Sequence, residues 1–208
     1  MHSQAEGLTG RDIAAGLRQL GLRTSDRVMV HSSLSSFGRV EGGAATVIRA
    51  LQDVVTERGV LLLPSFNHFA PFVDSGPGVY DPARTPSGNG AIPETFRQMP
   101  GVLRSLNPSH PFAAWGADAR RYLERHHLAL TMGPNSPLGL LARDGGQCLF
   151  LGTTHHTNSF KHVVEMSLGA PCIGRRTEEL PVRVPDGRIV PLRTWSWRER
   201  NCSESTRN

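Results

Sequence analysis

His162 and Glu165, within NSFKHVVEMSLGAP (residues 158–171), are the pair in this chain best suited to moving a proton. Three residues apart on a helix, they share one face. A carboxylate beside an imidazole orients the ring and favours its charged form, so the pair can accept a proton near neutral pH. The same spacing also describes a histidine at a helix start with a surface glutamate beside it. Position adds weight, because the pair follows the apolar run 148–151 and Gly152. Ligands of open α/β sheets gather beyond the carboxyl ends of strands.

VHSSLSSFG (residues 30–38) is a second such place. Its hydroxyls and free backbone N–H groups suit a phosphate or the amide-bearing arm of a cofactor, although serine-rich loops also serve as plain caps. No G-x-x-x-x-G-K-[ST], G-x-G-x-x-G or G-x-S-x-G occurs, which weighs against the common nucleotide folds and an ordinary serine hydrolase. His155, His156, His162 and Glu165 offer zinc-type ligands within eleven residues. Their spacing matches no common zinc pattern, so no metal is expected. Cys148 lies inside an apolar run, where an inert thiol is expected.

The elements that must position these groups are legible in part. TGRDIAAGLRQLG reads as a helix: Thr9 and Asp12 have capping-box spacing, Ile13, Leu17 and Leu20 share a face, and Gly21 stops it. RVMVHSS is a short buried strand, AATVIRALQDVV a helix of apolar period, and GVLLLPSF a second buried strand. Alternating strands and helices predict an α/β fold, a layered sheet with largely parallel strands and flanking helices. Residues 67–93 are rich in Gly, Pro, Asp and Ser and read as a binding loop or lid. A short helix near PETFRQMPG, a strand in NPSHPFAAWG, a helix over ADARRYLERHH, a turn at GPNSPLG and a strand in QCLFLG follow. ELPVRVPDGRIVPLR reads as a hairpin with a two-residue Asp186-Gly187 turn. The chain 1–208 is expected to be one domain, with the polar tail 194–208 frayed or truncated.

With 38% hydrophobic residues there is material for a core, and no apolar stretch approaches the roughly 20 residues of a membrane helix. The start MHSQAEGLTGRD has no apolar signal region. Three widely spaced cysteines predict a reducing, cytoplasmic setting without disulfides. A net charge of +5 raises the question of nucleic acid. Arg11, Arg18, Arg23, Arg39 and Arg49 are scattered and lack interleaved aromatics, so no nucleic-acid partner is expected.

VMVHSSLSSFGRVEGGAATVIRAL, YDPARTPSGNGAIPETFRQMPGVLRSLNPSHPFAAWG, GPNSPLGLL and GGQCLFLGTTHHTNSFKHVVE occur in that order. Together they resemble the aminoglycoside 3-N-acetyltransferases, antibiotic-resistance enzymes distinct in fold from the GNAT acetyltransferases. The likeness runs over roughly residues 8–192. It implies transfer of acetyl from acetyl-CoA to an aminoglycoside amine. By position, His162 would be the general base, and Glu165 would orient it or help hold the cationic acceptor. His31, Ser32, Ser33, Leu34, Phe37 and Gly38 match the segment lining the coenzyme A site, and Ser159 replaces the usual threonine. Two departures stand out. The match fades near Arg193, whereas the family runs on with an acidic portion, and TTHHTN stands where an acidic residue is common. They leave room for another amine metabolite as acceptor, or for a coenzyme A-binding protein without catalysis.

Overall fold

The computed structural model describes residues 7–174 and 176–197. Helix α1 (Gly10–Gln19) starts where the capping box requires: Asp12 N–H donates to Thr9 Oγ1, and Thr9 N–H donates to the Asp12 carboxylate at 2.9 Å. Its Ile13, Ala14 and Leu17 pack on α2 (Gly43–Val55), which buries Val47, Ile48, Leu51, Val54 and Val55.

Five strands form the central sheet: β1 (Arg27–Ser32), β2 (Val60–Pro64), β3 (Leu103–Arg104), β4 (Phe112–Gly116) and β5 (Gln147–Leu151), in the order β3-β4-β2-β1-β5. The period of two sorts their side chains into two cores. Val28, Val30, Leu61, Leu63 and Ala113 face α1, α2 and α3 (Ala91–Phe96). Met29, Val60, Leu62, Phe112 and Ala114 face the layer of α4 (Ala119–Leu123), α5 (Pro137–Arg143) and α6 (Phe160–Ser167). This is the expected layered α/β architecture with flanking helices.

The sheet is mixed where a largely parallel one was expected. β1 runs parallel to β2 and β5, but β4 runs antiparallel to β2 and β3. Only residues 105–111 join β3 to β4, too few for the crossover a parallel pair needs. Other boundaries moved for local reasons. The expected turn at GPNSPLG contains the start of α5, because Ser136 Oγ accepts the Gly139 N–H at 3.2 Å and Pro137 suits the first turn. α4 stops at Leu123, and His126, in the following 3-10 turn, turns inward onto Ser105 Oγ and the Thr131 carbonyl.

β6 (Leu180–Arg183) and β7 (Ile189–Leu192) pair antiparallel, as the hairpin reading requires. The turn has three residues, Pro185, Asp186 and Gly187, closed by Gly187 N–H to Val184 O and Val184 N–H to Arg188 O. Gly187 takes the positive φ (+88°) that such a loop demands.

The long segment 67–93 is tied down. Buried Tyr80 donates its hydroxyl to Ser105 O at 2.8 Å, and Asp81 pairs with Arg183 at 3.1 Å. The Arg104 guanidinium lies over the Tyr80 ring and donates to the carbonyls of Thr85 and Ser65.

Residues 194–197, expected to fray, are packed instead. Thr194 is fully buried, accepting from Asn107 Nδ2 at 2.8 Å, and the Trp195 carbonyl accepts from Thr131 Oγ1. Residues 198–208 lie outside the described residues. Cys148 is a free thiol, but Cys172 is disulfide-bonded, against the expectation of none. Among the described residues no helix is long and apolar enough to cross a membrane.

Candidate active site

Gly152, whose φ is +68°, follows the end of strand β5. A Cβ there would stand 2.5 Å from Ser36 Cβ, so only glycine lets the chain pass this close to the serine turn Leu34–Phe37. Ser36 Oγ donates to Gly152 O at 2.7 Å, and Ser33 N–H to Leu151 O at 2.9 Å. The two sequence stretches that looked capable of chemistry are thus fastened to each other.

A 3-10 turn, His155–Thr157, then leads to Asn158, whose side-chain oxygen accepts the Phe160 N–H at 2.9 Å and opens α6. The Ser159 N–H donates to His31 Nε2 at 3.3 Å. The His31 ring is buried and stacks on Phe150 at 5.6 Å. Burial pushes its pKa down to about 4, which keeps Nε2 an acceptor at neutral pH.

One turn further, His162 is 9% exposed, and its Nδ1 lies 2.6 Å from Glu165 Oε2. The spacing therefore produced a contact, not merely a shared face. Against the imidazole lies the indole of Trp197, ring centroids 4.8 Å apart and planes tilted by 55°. His110 flanks this group, 6.4 Å from Trp197 and 5.6 Å from His68. Asn107 Oδ1 holds the turn beneath His110 by accepting from Ser109 and His110 N–H. Burial, with neighbouring His68, His126 and His162, pushes the pKa of His110 down to about 3, so it is neutral.

Beside these residues a cavity of about 270 Å³ opens at the carboxyl ends of β1 and β2, lined by His31, Ser32, Pro64, Phe66, His68, Asn89, Pro93, Thr157 and Ser159. Ser32 Oγ is buried there with no hydrogen-bond partner among the described residues. Of the residues matched to the coenzyme A segment, His31 and Ser32 line this cavity. Ser33 and Gly38 cap the adjoining 3-10 turn, and Leu34 and Phe37 pack against the core. His162 and Glu165 lie one turn beyond Ser159 and are not among the lining residues.

The 67–93 segment, expected to be a binding loop or lid, supplies His68, Asn89 and Pro93 to the cavity, residues not singled out in the sequence, and neither His110 nor Trp197 was singled out. The histidine in NPSHP was the one available signal, and nothing local marked Trp197. His155 and His156 are exposed with rings 4.4 Å apart, and among the described residues no group of three His, Cys, Asp or Glu is placed to hold a metal. Burial pushes the Cys148 thiol up to about 11, which makes it a poor nucleophile.

A carboxylate-held imidazole thus lies one helical turn beyond a cleft at the strand ends of a mixed α/β sheet. Comparisons with known proteins identify the family. The family described as aminoglycoside 3-N-acetyltransferase matches residues 29–207. The SPbeta prophage-derived aminoglycoside N(3')-acetyltransferase-like protein YokD of Bacillus subtilis is 35% identical over 191 residues, covering 79% of this chain and 70% of that protein. Aminoglycoside N(3)-acetyltransferase VII of Streptomyces paromomycinus is 36% identical over 199 residues, covering 88% and 68%. Among solved structures, the AAC-IIIb binary complex with CoASH has a TM-score of 0.76 at 32% identity, covering 92% of this chain and 77% of that one. Sisomicin-bound AAC-VIa has a TM-score of 0.78 at 28% identity, covering 92% and 77%. This chain belongs to the aminoglycoside 3-N-acetyltransferase family.

Proposed function

We propose that the protein is an acetyl-CoA-dependent N-acetyltransferase acting on an amine of an aminoglycoside, at the 3-N position by family, with His162 as general base. The observation that carries this is the 2.6 Å contact between His162 Nδ1 and Glu165 Oε2. It fixes the N–H on Nδ1 and leaves Nε2 as the basic nitrogen.

An amine attacks a thioester only through its lone pair. As the new C–N bond forms at the acetyl carbonyl, the nitrogen's surplus proton passes to Nε2. The C–S bond then breaks, the thiolate leaves with its electron pair, and the imidazolium returns the proton to give free coenzyme A. Glu165 stabilises the imidazolium formed in between.

The cleft suits the pantetheine arm. It is walled by Pro64, Phe66 and Pro93, and Ser32 Oγ supplies a buried hydroxyl with no partner among the described residues. Aminoglycoside as acceptor is supported by the names of the relatives and by the sisomicin complex. The cytoplasm, where acetyl-CoA is at hand, is the compartment this reading assigns.

Thiol release from acetyl-CoA with a panel of aminoglycosides tests the proposal. His162→Gln should lower kcat about a hundredfold or more. Coenzyme A binding by calorimetry with no turnover on any amine would select the non-catalytic binding protein instead.

A further inference from the structure

The base is not the only group that the fold takes trouble to hold. Trp197 lies thirty-five residues beyond His162 in the chain, yet its indole meets the imidazole with centroids 4.8 Å apart and planes tilted by 55°. Backbone contacts put it there. Gly174 N–H donates to Trp197 O at 3.3 Å, Arg176 and Trp195 form an antiparallel bridge, and Thr177 N–H donates to Thr194 O at 2.9 Å. The side chain packs against the core on the α4–α6 side of the sheet.

We propose that Trp197 is a positioning residue for the transfer step: its π system, tilted 55° to the ring of His162, stabilises the imidazolium that His162 becomes on taking the amine proton. The inference rests on His162 being the base.

An indole within about 6 Å of a cation attracts it through the ring quadrupole, and more strongly when water is excluded. His162 is largely buried, and burial alone opposes protonation. Among the described residues, the titratable groups that face it are Glu165 from its own helix and His110 from the segment between β3 and β4, with His68 behind His110. His110 is held neutral, so it adds no repelling charge. Glu165 and Trp197 therefore act on one side of the balance and burial on the other. Without the indole, the half-buried ion pair would take the proton less readily.

Two readouts test this. Protonated imidazole against an indole quenches its emission. The wild type should therefore lose fluorescence as pH falls through the His162 titration, and Trp197→Phe and His162→Gln should lack that component while Trp115 and Trp195 still emit. The acid limb of kcat/KM gives the second. Trp197→Leu, which keeps an apolar body but no π face, should move the limb to lower pH by about half a unit or more, with Trp197→Phe in between. A limb that moves upward would mean that the indole merely keeps water out, and an unmoved limb would mean that it does nothing to the proton; either overturns the inference. Should the leucine variant fail to fold by circular dichroism, the phenylalanine variant decides. Full turnover in His162→Gln, with the fluorescence titration of the wild type intact, would sink the general-base reading and leave the ring pairing standing.

Discussion

Glu165 Oε2 lies 2.6 Å from His162 Nδ1, with the glutamate side chain about one third exposed and the imidazole nearly buried. The carboxylate thus reaches toward solvent while it grips a ring that solvent hardly touches. A glutamine at 165 can still accept from Nδ1–H but carries no charge. Glu165→Gln should keep the ring in place, lower kcat about tenfold or more, and shift the acid limb of the pH–rate profile downward. Glu165→Ala should cost more, because orientation is lost as well. Steady-state kinetics across pH 5–9 separate the two effects, and equal kcat in all three proteins would contradict the arrangement.

His31, His110 and His126 make stability depend on pH in a direction that can be worked out. Burial pushes their pKa values down to about 4, about 3 and about 4, from an ordinary 6.5. Below pH 6.5 the unfolded chain takes up protons that the folded chain refuses. Stability is therefore fully present above pH 6.5 and drains away as pH falls toward 4. With three such groups the slope reaches about 4 kcal/mol per pH unit at its steepest. Urea midpoints at pH 7, 6 and 5 should fall progressively. His126→Gln should be less stable at pH 7 but show a shallower fall, by one proton's worth.

Arg104 binds the segment after Phe66 to the sheet. Its guanidinium donates to Ser65 O at 2.5 Å and to Thr85 O, and lies 5.4 Å from the centre of the Tyr80 ring. Arg104→Met keeps the stem but orphans those carbonyls, at about 1–3 kcal/mol for each one left buried. The cavity wall carrying Asn89 and Pro93 should slacken, so KM for acetyl-CoA should rise more than kcat falls. A denaturant titration and the two kinetic constants check this together.

How much could be read in advance follows from how local each cause is. α1 was legible because Thr9 and Asp12 lie three residues apart and satisfy each other. The His162–Glu165 contact was legible for the same reason. α5 was misread although its signals, Ser136 and Pro137, were present: Gly133, Pro134 and Asn135 just before them spell a turn, and both are true. The antiparallel course of β4 was hidden, because β3 is two residues long and carries no pattern of its own. Trp197 was invisible as a site residue. Its approach to His162 depends on the pairing of Gly174, Arg176 and Thr177 with Trp197, Trp195 and Thr194, and a polar-looking tail gives no sign of that.

Ser32 offers the sharpest separation of folding from function. It ends β1, its hydroxyl oxygen is buried and has no partner among the described residues, and it lines the cavity next to His31. A buried hydroxyl that finds no partner opposes folding by about 1–3 kcal/mol, so a protein selected for stability alone would place alanine here. Ser32→Ala should accordingly be as stable as the wild type or more stable, by up to about 1 kcal/mol in a thermal or urea melt. If the hydroxyl is there for the pantetheine arm, the same change should weaken acetyl-CoA binding several-fold, because a polar group of the ligand then enters the cleft unmet. The two effects have opposite signs, and calorimetry with coenzyme A beside a melting curve reads both. A variant that is less stable yet binds the coenzyme unchanged would show that Ser32 serves the strand and not the site.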